Sequence, residues 1–137
     1  MAQIIDASIG VAWCVQNQAG SFSDAVLTAT IDHGGRVPPQ FWFEVLHSVS
    51  RLQRRGAVGR EIVSRFLETI PELPLIIEPA YSAEATCDLY RLADRYALSI
   101  YDASYLELAL RAGLPIATRD EKLARAAKQA GVSLFTA

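Results

Sequence analysis

The chain has 137 residues, of which 51% are hydrophobic and 20% charged, and its formal net charge is −2. This balance is typical of a globular protein, excludes a disordered chain, and fits a single domain over residues 1–137. The apolar stretches are shorter than the roughly 20 residues of a membrane span, and the N-terminus lacks a secretory signal pattern, so we expect a cytoplasmic protein with no membrane partner.

The first half of the chain contains two strand candidates and four helical patterns. In chain order they are a strand at 4–5, helices at 7–15 and 23–31, a short strand at 37, and helices at 41–55 and 60–70. Ser23 or Asp24 is expected to cap the second helix, because either side chain can accept a hydrogen bond from the first turn. The helix that begins at Phe41 has the clearest apolar face.

The second half contains three strand candidates and three helical patterns. In chain order they are a strand at 75–77, helices at 83–96 and 101–112, a strand at 115–118, a helix at 120–130 and a closing strand at 132–135. Short strands that alternate with helices of ten or more residues indicate parallel β-α-β units. The strands are apolar on both faces, as expected for a sheet that helices cover on both sides.

Four acidic residues, far apart in the chain, interrupt or close these apolar segments. They are Asp6, Glu44, Asp102 and Asp120, and we call them the acidic quartet. Three of them lie where a strand ends or a helix begins, in QIIDAS, LSIYDAS and PIATRD, and Glu44 is the only acid in PPQFWFEVLHSV. Because ligands of parallel sheets collect at the carboxyl ends of the strands, we expect the four carboxylates to share one pocket.

The electrostatics of such a pocket predict a bound metal ion. Two carboxylates about 5 Å apart repel by roughly 3 kcal/mol at an effective dielectric constant near 20, so four together require protonation or a cation. Mg²⁺ and Mn²⁺ prefer oxygen ligands of this kind. Such an ion acidifies a nearby water for attack on phosphorus and stabilises charge on the phosphate oxygens. The quartet therefore favours phosphodiester chemistry.

Each acid also has an ordinary structural explanation, which the sequence leaves open. Asp6 can be a helix N-cap, and Asp102 and Asp120 can be first-turn helix acids. Glu44 can pair with an arginine or with His47. These explanations must hold for all four acids at once if the quartet is not to form.

Three further residues are candidates for positioning water or substrate. Ser8 and Thr118 each lie two residues from an acid, although either hydroxyl can instead cap a helix. Arg51 lies seven residues after Glu44 on the same helix face and can steer phosphate toward the metal. It begins an arginine-rich stretch, residues 51–65, which either meets phosphates or is a solvated surface.

The two cysteines predict no metal site. Cys14 and Cys87 are far apart, and no Cys-x-x-Cys or His-rich spacing accompanies them. We expect both to be reduced thiols in the core.

Four segments, in their order along the chain, resemble the motifs of PIN-domain nucleases, and most closely those of VapC-type toxins of type II toxin–antitoxin systems. The segments are IIDASI, FWFEVLHSV, LSIYDASYLELA and PIATRDEKLARAA. The resemblance implies a three-layer α/β/α fold with a short, mostly parallel central sheet, and magnesium-dependent cleavage of RNA. It implies catalytic and metal-binding roles for the whole quartet, most consistently for Asp6 and Asp102. Ser8 and Thr118 match hydroxyl positions of the family, whereas Arg119 stands where asparagine is frequent.

The same resemblance implies an RNA substrate, a homodimer, and a small antitoxin that covers the acidic site. One alternative is a catalytically idle PIN-like module that binds RNA or a protein. Another is a receiver-type phosphoacceptor domain, which also clusters acids at strand ends. That class needs a lysine at a strand end, whereas Lys122 and Lys128 lie in a predicted helix.

Overall fold

The computed structural model describes residues 1–15, 21–79 and 81–136. Within these residues, a parallel sheet of four strands in the order β3-β2-β1-β4 lies between helices, in a three-layer α/β/α arrangement. The strands are β1 (Gln3–Ile5), β2 (Gly35–Val37), β3 (Leu75–Ile77) and β4 (Ile116–Ala117). The predicted fold class is therefore confirmed.

The helices connect these strands and form the two outer layers. Those that the structure describes are α1 (Ala7–Val15), α2 (Phe22–His33), α3 (Phe41–Arg54), α4 (Arg60–Thr69), α5 (Ala83–Tyr96), α6 (Ile100–Ala112) and α7 (Glu121–Gln129). Helix α1 packs against α2, α3 and α4, whereas α6 packs against α5, α7 and strands β1 and β4. A short 3-10 turn, Ile70–Glu72, follows α4.

The core lies between the sheet and helices α1, α3 and α6. Ile4, Ile5, Ile9, Phe41 and Leu106 are fully buried there, and burial of a side chain of this size contributes about 1.5–3 kcal/mol. Because these apolar side chains are buried, the apolar pattern of the sequence predicted most of the helices and strands correctly.

Helices α1 and α3 approach each other closely at Gly10. A Cβ atom built at Gly10 would lie 2.6 Å from Cγ2 of Val45 and 3.0 Å from Cζ of Phe41. Both neighbours are fully buried, so the absence of a side chain at Gly10 is what allows this helix spacing.

The predicted closing strand at 132–135 is wrong. Within the described residues, this segment makes only an isolated parallel bridge between Leu134 and Ile116. The reason is the length of β4, which covers two residues rather than the predicted 115–118. Beyond Ala117 the chain turns, and the side chain of Thr118 bonds to Asp6 instead of continuing the strand.

The expectation that helices cover every strand on both faces is wrong for β3. Ile76 is 62% exposed and Ile77 51% exposed, because β3 is the last strand on its side of the described sheet and pairs with β2.

The prediction for the cysteines is correct for Cys14, which lies in the core, and wrong for Cys87, which is exposed on α5.

The N-terminus of α2 also differs from its prediction. Ser21, not Ser23 or Asp24, is the N-cap residue, and its hydroxyl accepts a hydrogen bond from the backbone N–H of Asp24. The helix therefore begins two residues earlier than the predicted caps allow. No helix within the described ranges is both long and apolar enough to span a membrane.

Candidate active site at the carboxyl edge of the sheet

Asp6 lies directly after β1 and is buried, with 4% exposure. Its backbone N–H donates to the carbonyl of Ala117 at 3.0 Å, which extends the parallel ladder by one residue and fixes Asp6 at the carboxyl edge of the sheet. Its Oδ2 accepts hydrogen bonds from Ser8 Oγ at 2.7 Å and from Thr118 Oγ1 at 2.8 Å. Burial raises the pKa of Asp6, these two hydrogen bonds oppose the rise, and the nearby charge of Asp120 adds to it.

Thr118 joins Asp6 to Asp120. The hydroxyl oxygen that donates to Asp6 also accepts a hydrogen bond from the backbone N–H of Asp120 at 2.9 Å. Asp120 in turn caps α7, because its Oδ1 accepts from the N–H groups of Lys122 and Leu123 at 2.9 and 3.1 Å. Asp120 is therefore a helix cap, which is one of the explanations that the sequence left open, and it also lies beside Asp6.

Asp102 is the third residue of α6, and its backbone N–H donates to the hydroxyl of Ser99, the N-cap residue, at 3.0 Å. Its side chain is partly buried. Burial raises the pKa of Asp102, and the charges of Asp6 and Asp120 raise it further. A hydrogen bond that the Ser99 side chain donates to the Asp102 carboxylate and the positive charge of Lys122 oppose the rise.

Glu44 lies in the first turn of α3 and reaches across to α6. Its Oε1 accepts a hydrogen bond from the hydroxyl of Tyr105 at 3.0 Å, so its partner is neither an arginine nor His47. Burial raises the pKa of Glu44, the hydrogen bonds from Tyr105 and Gln40 oppose this, and the charges of Asp6 and Asp102 add to it.

The four acids therefore share one electrostatic environment. The pKa of Asp6 responds to Asp120, that of Asp102 to Asp6 and Asp120, and that of Glu44 to Asp6 and Asp102. The ion pairs among the described residues lie elsewhere, at Arg36–Glu78, Arg91–Asp88 and Arg111–Glu107. In the described part of the chain, none of these pairs offsets the charge of the quartet.

The donor set of the quartet fits a hard cation. Burial and neighbouring negative charge raise the pKa values of Asp6, Glu44 and Asp102, and Mg²⁺ or Mn²⁺, which prefer carboxylate ligands, would stabilise their charged forms. As the side chains stand, however, no group of three or more His, Cys, Asp and Glu residues in the described ranges is placed to hold a metal ion. Asp6, Glu44 and Asp120 each turn an oxygen toward a hydrogen-bond donor. Closing the quartet around a cation requires rotation of these side chains.

The structure does not bring Arg51 to the quartet. It lies in the last turn of α3 with an exposed side chain, about 10 Å along the helix axis from Glu44. The other arginines of the stretch 51–65 are exposed as well, on the end of α3, the following turn and α4. This placement is that of a solvated surface.

Sequence reasoning missed Tyr105 and Gln40 as partners of the quartet. Tyr105 is fully buried and donates to Glu44, and Gln40, just before α3, donates a side-chain hydrogen bond to Glu44 and another to the hydroxyl of Ser104. A signal for Tyr105 was available, since it lies three residues after Asp102 on one helix face and a buried phenol needs a hydrogen-bond partner. Gln40 carried no comparable signal.

Comparison with known sequences gives a consistent picture. The family model described as PIN domain matches residues 4–129. A protein of Mycobacterium tuberculosis (strain CDC 1551 / Oshkosh) named Ribonuclease VapC3 is 38% identical over 89 residues, which cover 65% of this chain and 62% of that protein. A Ribonuclease VapC3 of Pyrobaculum aerophilum is 30% identical over 82 residues, which cover 60% of this chain and 63% of that protein. The chain thus spans less than two thirds of the length of these curated relatives.

Two solved structures share the fold. PAE2754 from Pyrobaculum aerophilum superimposes with a TM-score of 0.69 at 23% identity, covering 92% of this chain and 87% of that one. FitAcB from Neisseria gonorrhoeae superimposes with a TM-score of 0.65 at 16% identity, covering 99% of this chain and 97% of that one. Because the family model matches nearly the whole length, from β1 through α7, the chain belongs to the PIN domain family.

Proposed function

We propose that this chain, acting as one PIN domain over residues 1–137, is a Mg²⁺-dependent endoribonuclease and the toxin of a toxin–antitoxin pair, with Mn²⁺ as a second candidate metal. The observation that carries the proposal is the shared electrostatic environment of the acidic quartet, in which the charges of other quartet members add to the raised pKa values of Asp6, Glu44 and Asp102. The substrate class comes from the motifs that resemble VapC-type toxins and from the relatives named Ribonuclease VapC3.

In this proposal Asp6, Glu44, Asp102 and Asp120 hold the metal. Bound there, the cation supplies an acidified water and stabilises the charge that develops on the phosphate oxygens. Attack of water on phosphorus would leave a 5′-phosphate and a 3′-hydroxyl.

The residues around the quartet hold its carboxylates in place before substrate arrives. Ser8 and Thr118 fix one oxygen of Asp6, and Tyr105 fixes one oxygen of Glu44. Because these donors sit on regular elements or directly beside them, they would keep one oxygen of Asp6 and one of Glu44 oriented as the side chains close around the cation.

The test is cleavage of defined RNAs by the purified protein, with and without Mg²⁺, followed by mapping of the cleaved ends. Asp6→Asn and Asp102→Asn are expected to abolish cleavage and toxicity while the fold is retained. Asp32→Asn is the matched control, because Asp32 is exposed near the end of α2, away from the quartet. Full cleavage by either quartet variant would reject the proposal.

A second candidate function is a catalytically idle PIN-like module that binds RNA or a protein. It is favoured by one observation, that no three metal-ligating side chains of the described ranges are arranged around a common point. A thermal melt during Mg²⁺ titration separates the two functions. Stabilisation of the native chain that is lost in Asp102→Asn supports the nuclease, and no stabilisation supports the idle module.

The partners that we propose are a second copy of the chain and a small antitoxin in the cytoplasm. Both follow from the resemblance to VapC-type toxins. Light scattering of the purified chain tests the homodimer. Co-purification with the product of a short neighbouring open reading frame tests the antitoxin, and a monomer with no such neighbour would contradict this part of the proposal.

A further inference from the structure

Helix α7 presents basic side chains on its solvent face. Although the chain carries a net charge of −2, residues 119–128 contain four basic and two acidic side chains. Leu123, Ala126 and Ala127 form the buried face of the helix. Three basic side chains of the helix point away from that face and are exposed, and Arg119, just before the N-cap, is exposed as well. We call Arg119, Lys122, Arg125 and Lys128 the α7 basic face.

The α7 basic face is continuous with the acidic quartet. Helix α7 begins directly after Asp120, which caps it, and the backbone N–H of Arg119 donates to Ser8 Oγ at 3.1 Å. Ser8 in turn donates to Asp6. Lys122 is close enough to Asp102 for its charge to act on that carboxyl group. The positive charges thus start at the rim of the quartet and extend along the helix.

None of these basic side chains takes part in a side-chain ion pair among the described residues. The ion pairs that the structure describes involve Arg36, Arg91 and Arg111 rather than any residue of the α7 basic face. Lys122 and Arg125 are three positions apart, so they lie on adjacent parts of one helix surface. Exposed cations beside a cluster of acids would attract a ligand that is anionic and that also reaches the acids.

The arginines of residues 51–65 are the competing surface, and their distance argues against them. Arg54 lies ten residues beyond Glu44 on α3, which is about 15 Å along the helix axis, and Arg60 and Arg65 follow on α4. Lys122, by contrast, lies two residues after Asp120. A phosphate next to the reacting one can reach α7 far more easily than α4.

We propose that the α7 basic face binds the phosphodiester backbone of RNA beside the bond that is cleaved, with Lys122 and Arg125 making the phosphate contacts. This inference rests on the proposed ribonuclease function. Lysine and arginine contacts to phosphates release counterions, so they give affinity that is independent of sequence and falls with salt.

The experiment compares two charge-matched double variants, Lys122→Gln/Arg125→Gln on α7 and Arg60→Gln/Arg65→Gln on α4. Each removes two exposed positive charges. The probe is a short fluorescein-labelled single-stranded RNA, and its binding is measured by anisotropy in EDTA over a range of salt concentrations. Two lost phosphate contacts should reduce the slope of log K against log salt by about 1.4, and we expect this for the α7 variant alone.

A second readout is steady-state cleavage in Mg²⁺, where the α7 variant should raise KM several-fold and the α4 variant should leave KM near that of the native chain. Should the α7 double variant fail to fold, the single reversal Arg125→Glu replaces it. An unchanged slope in the α7 variant, or an equal loss in the α4 variant, overturns the inference. Failure of the native chain to bind or cut RNA would instead reject the ribonuclease function itself.

Discussion

The hydroxyl of Tyr105 donates to Oε1 of Glu44 at 3.0 Å across 61 positions of the chain, and so joins α6 to α3 beside the acidic quartet. Burial raises the pKa of Tyr105 far above its usual range, and the charges of Glu44 and Asp6 add to this effect. The phenol therefore stays protonated and acts as a hydrogen-bond donor to Glu44.

Tyr105→Phe should lower the RNA cleavage activity strongly and the free energy of unfolding only slightly. Loss of this hydrogen bond should cost about 0.5–1.5 kcal/mol of unfolding free energy, whereas loss of a group that orients a metal ligand typically costs about 10- to 100-fold in metal affinity or activity. RNA cleavage rates over a Mg²⁺ titration, with urea melts, check both values. Tyr81→Phe is the control, because its hydroxyl donates to the backbone carbonyl of Ser104 instead of a quartet carboxylate. Equal activity of the two variants would contradict the role of Tyr105.

Asp6→Asn should stabilise the protein at neutral pH in the absence of metal. Because burial raises the folded-state pKa of Asp6, the folded protein holds this proton more tightly than the unfolded chain. Stability therefore falls as the pH rises from the ordinary pKa of aspartate through the raised folded value. Asparagine does not ionise, and its oxygen can still accept from Ser8 and Thr118.

Thermal melts of the native chain and of Asp6→Asn in EDTA across this pH range test whether ionisation of Asp6 destabilises the folded protein. The Tm of Asp6→Asn should exceed that of the native chain near pH 7 and approach it near pH 4, the ordinary range of the aspartate pKa. A lower Tm of the variant at neutral pH would show that the ionised carboxylate stabilises the fold.

Thr118→Val should lower activity, because it removes both hydrogen bonds of one hydroxyl. The valine removes the donor to Asp6 and the acceptor for the N–H of Asp120, so that activity should fall by about 10- to 100-fold, as for other groups that orient ligands. Thr118→Ser keeps the hydroxyl and should retain most of the activity. Cleavage assays on both variants check this, and similar losses in both would point to the methyl group instead.

Ala97→Gly should stabilise the protein without affecting the site. Ala97 ends α5 in the left-handed conformation, with φ 53° and ψ 43°, which costs about 1–2 kcal/mol for a residue with a side chain. Glycine removes this cost and loses about 0.5–1 kcal/mol of chain entropy, so we expect a net gain of about 0–1.5 kcal/mol. Urea denaturation measures it, and Gly113→Ala (φ 66°) should shift stability in the opposite direction.

The sequence predicted the elements that are strongly periodic or clearly capped. Helices α1 and α5 have the predicted bounds, because an apolar run after Asp6 and a serine cap at Ser82 define them locally. The closing strand at 132–135 failed because a strand depends on a partner, and the partner β4 is two residues long. The predicted burial of Ile76 also failed, because the position of a strand in the sheet order cannot be read from the local sequence.

The candidate site was predictable in its acids and in the hydroxyls of Ser8 and Thr118, and not in Tyr105 and Gln40. The acids stood out because an isolated charge in an apolar segment is costly. The sequence does not indicate that Tyr105 and Gln40 contact the quartet, because those contacts form only where α3 and α6 lie side by side. The catalytic and metal-binding roles of the quartet stay predictions until the variants above are measured.

The absence of a Cβ atom at Gly10 limits which substitutions the protein can tolerate at this position. The helix that follows Asp6 meets the helix that bears Glu44 at this point, and a Cβ there would come within 2.6 Å of Val45. Any larger residue would push the two helices apart and carry one carboxylate away from the other. A substitution at this position would therefore disturb the acidic quartet although Gly10 bears no functional group, because its small size sets the distance between the helices next to Asp6 and Glu44.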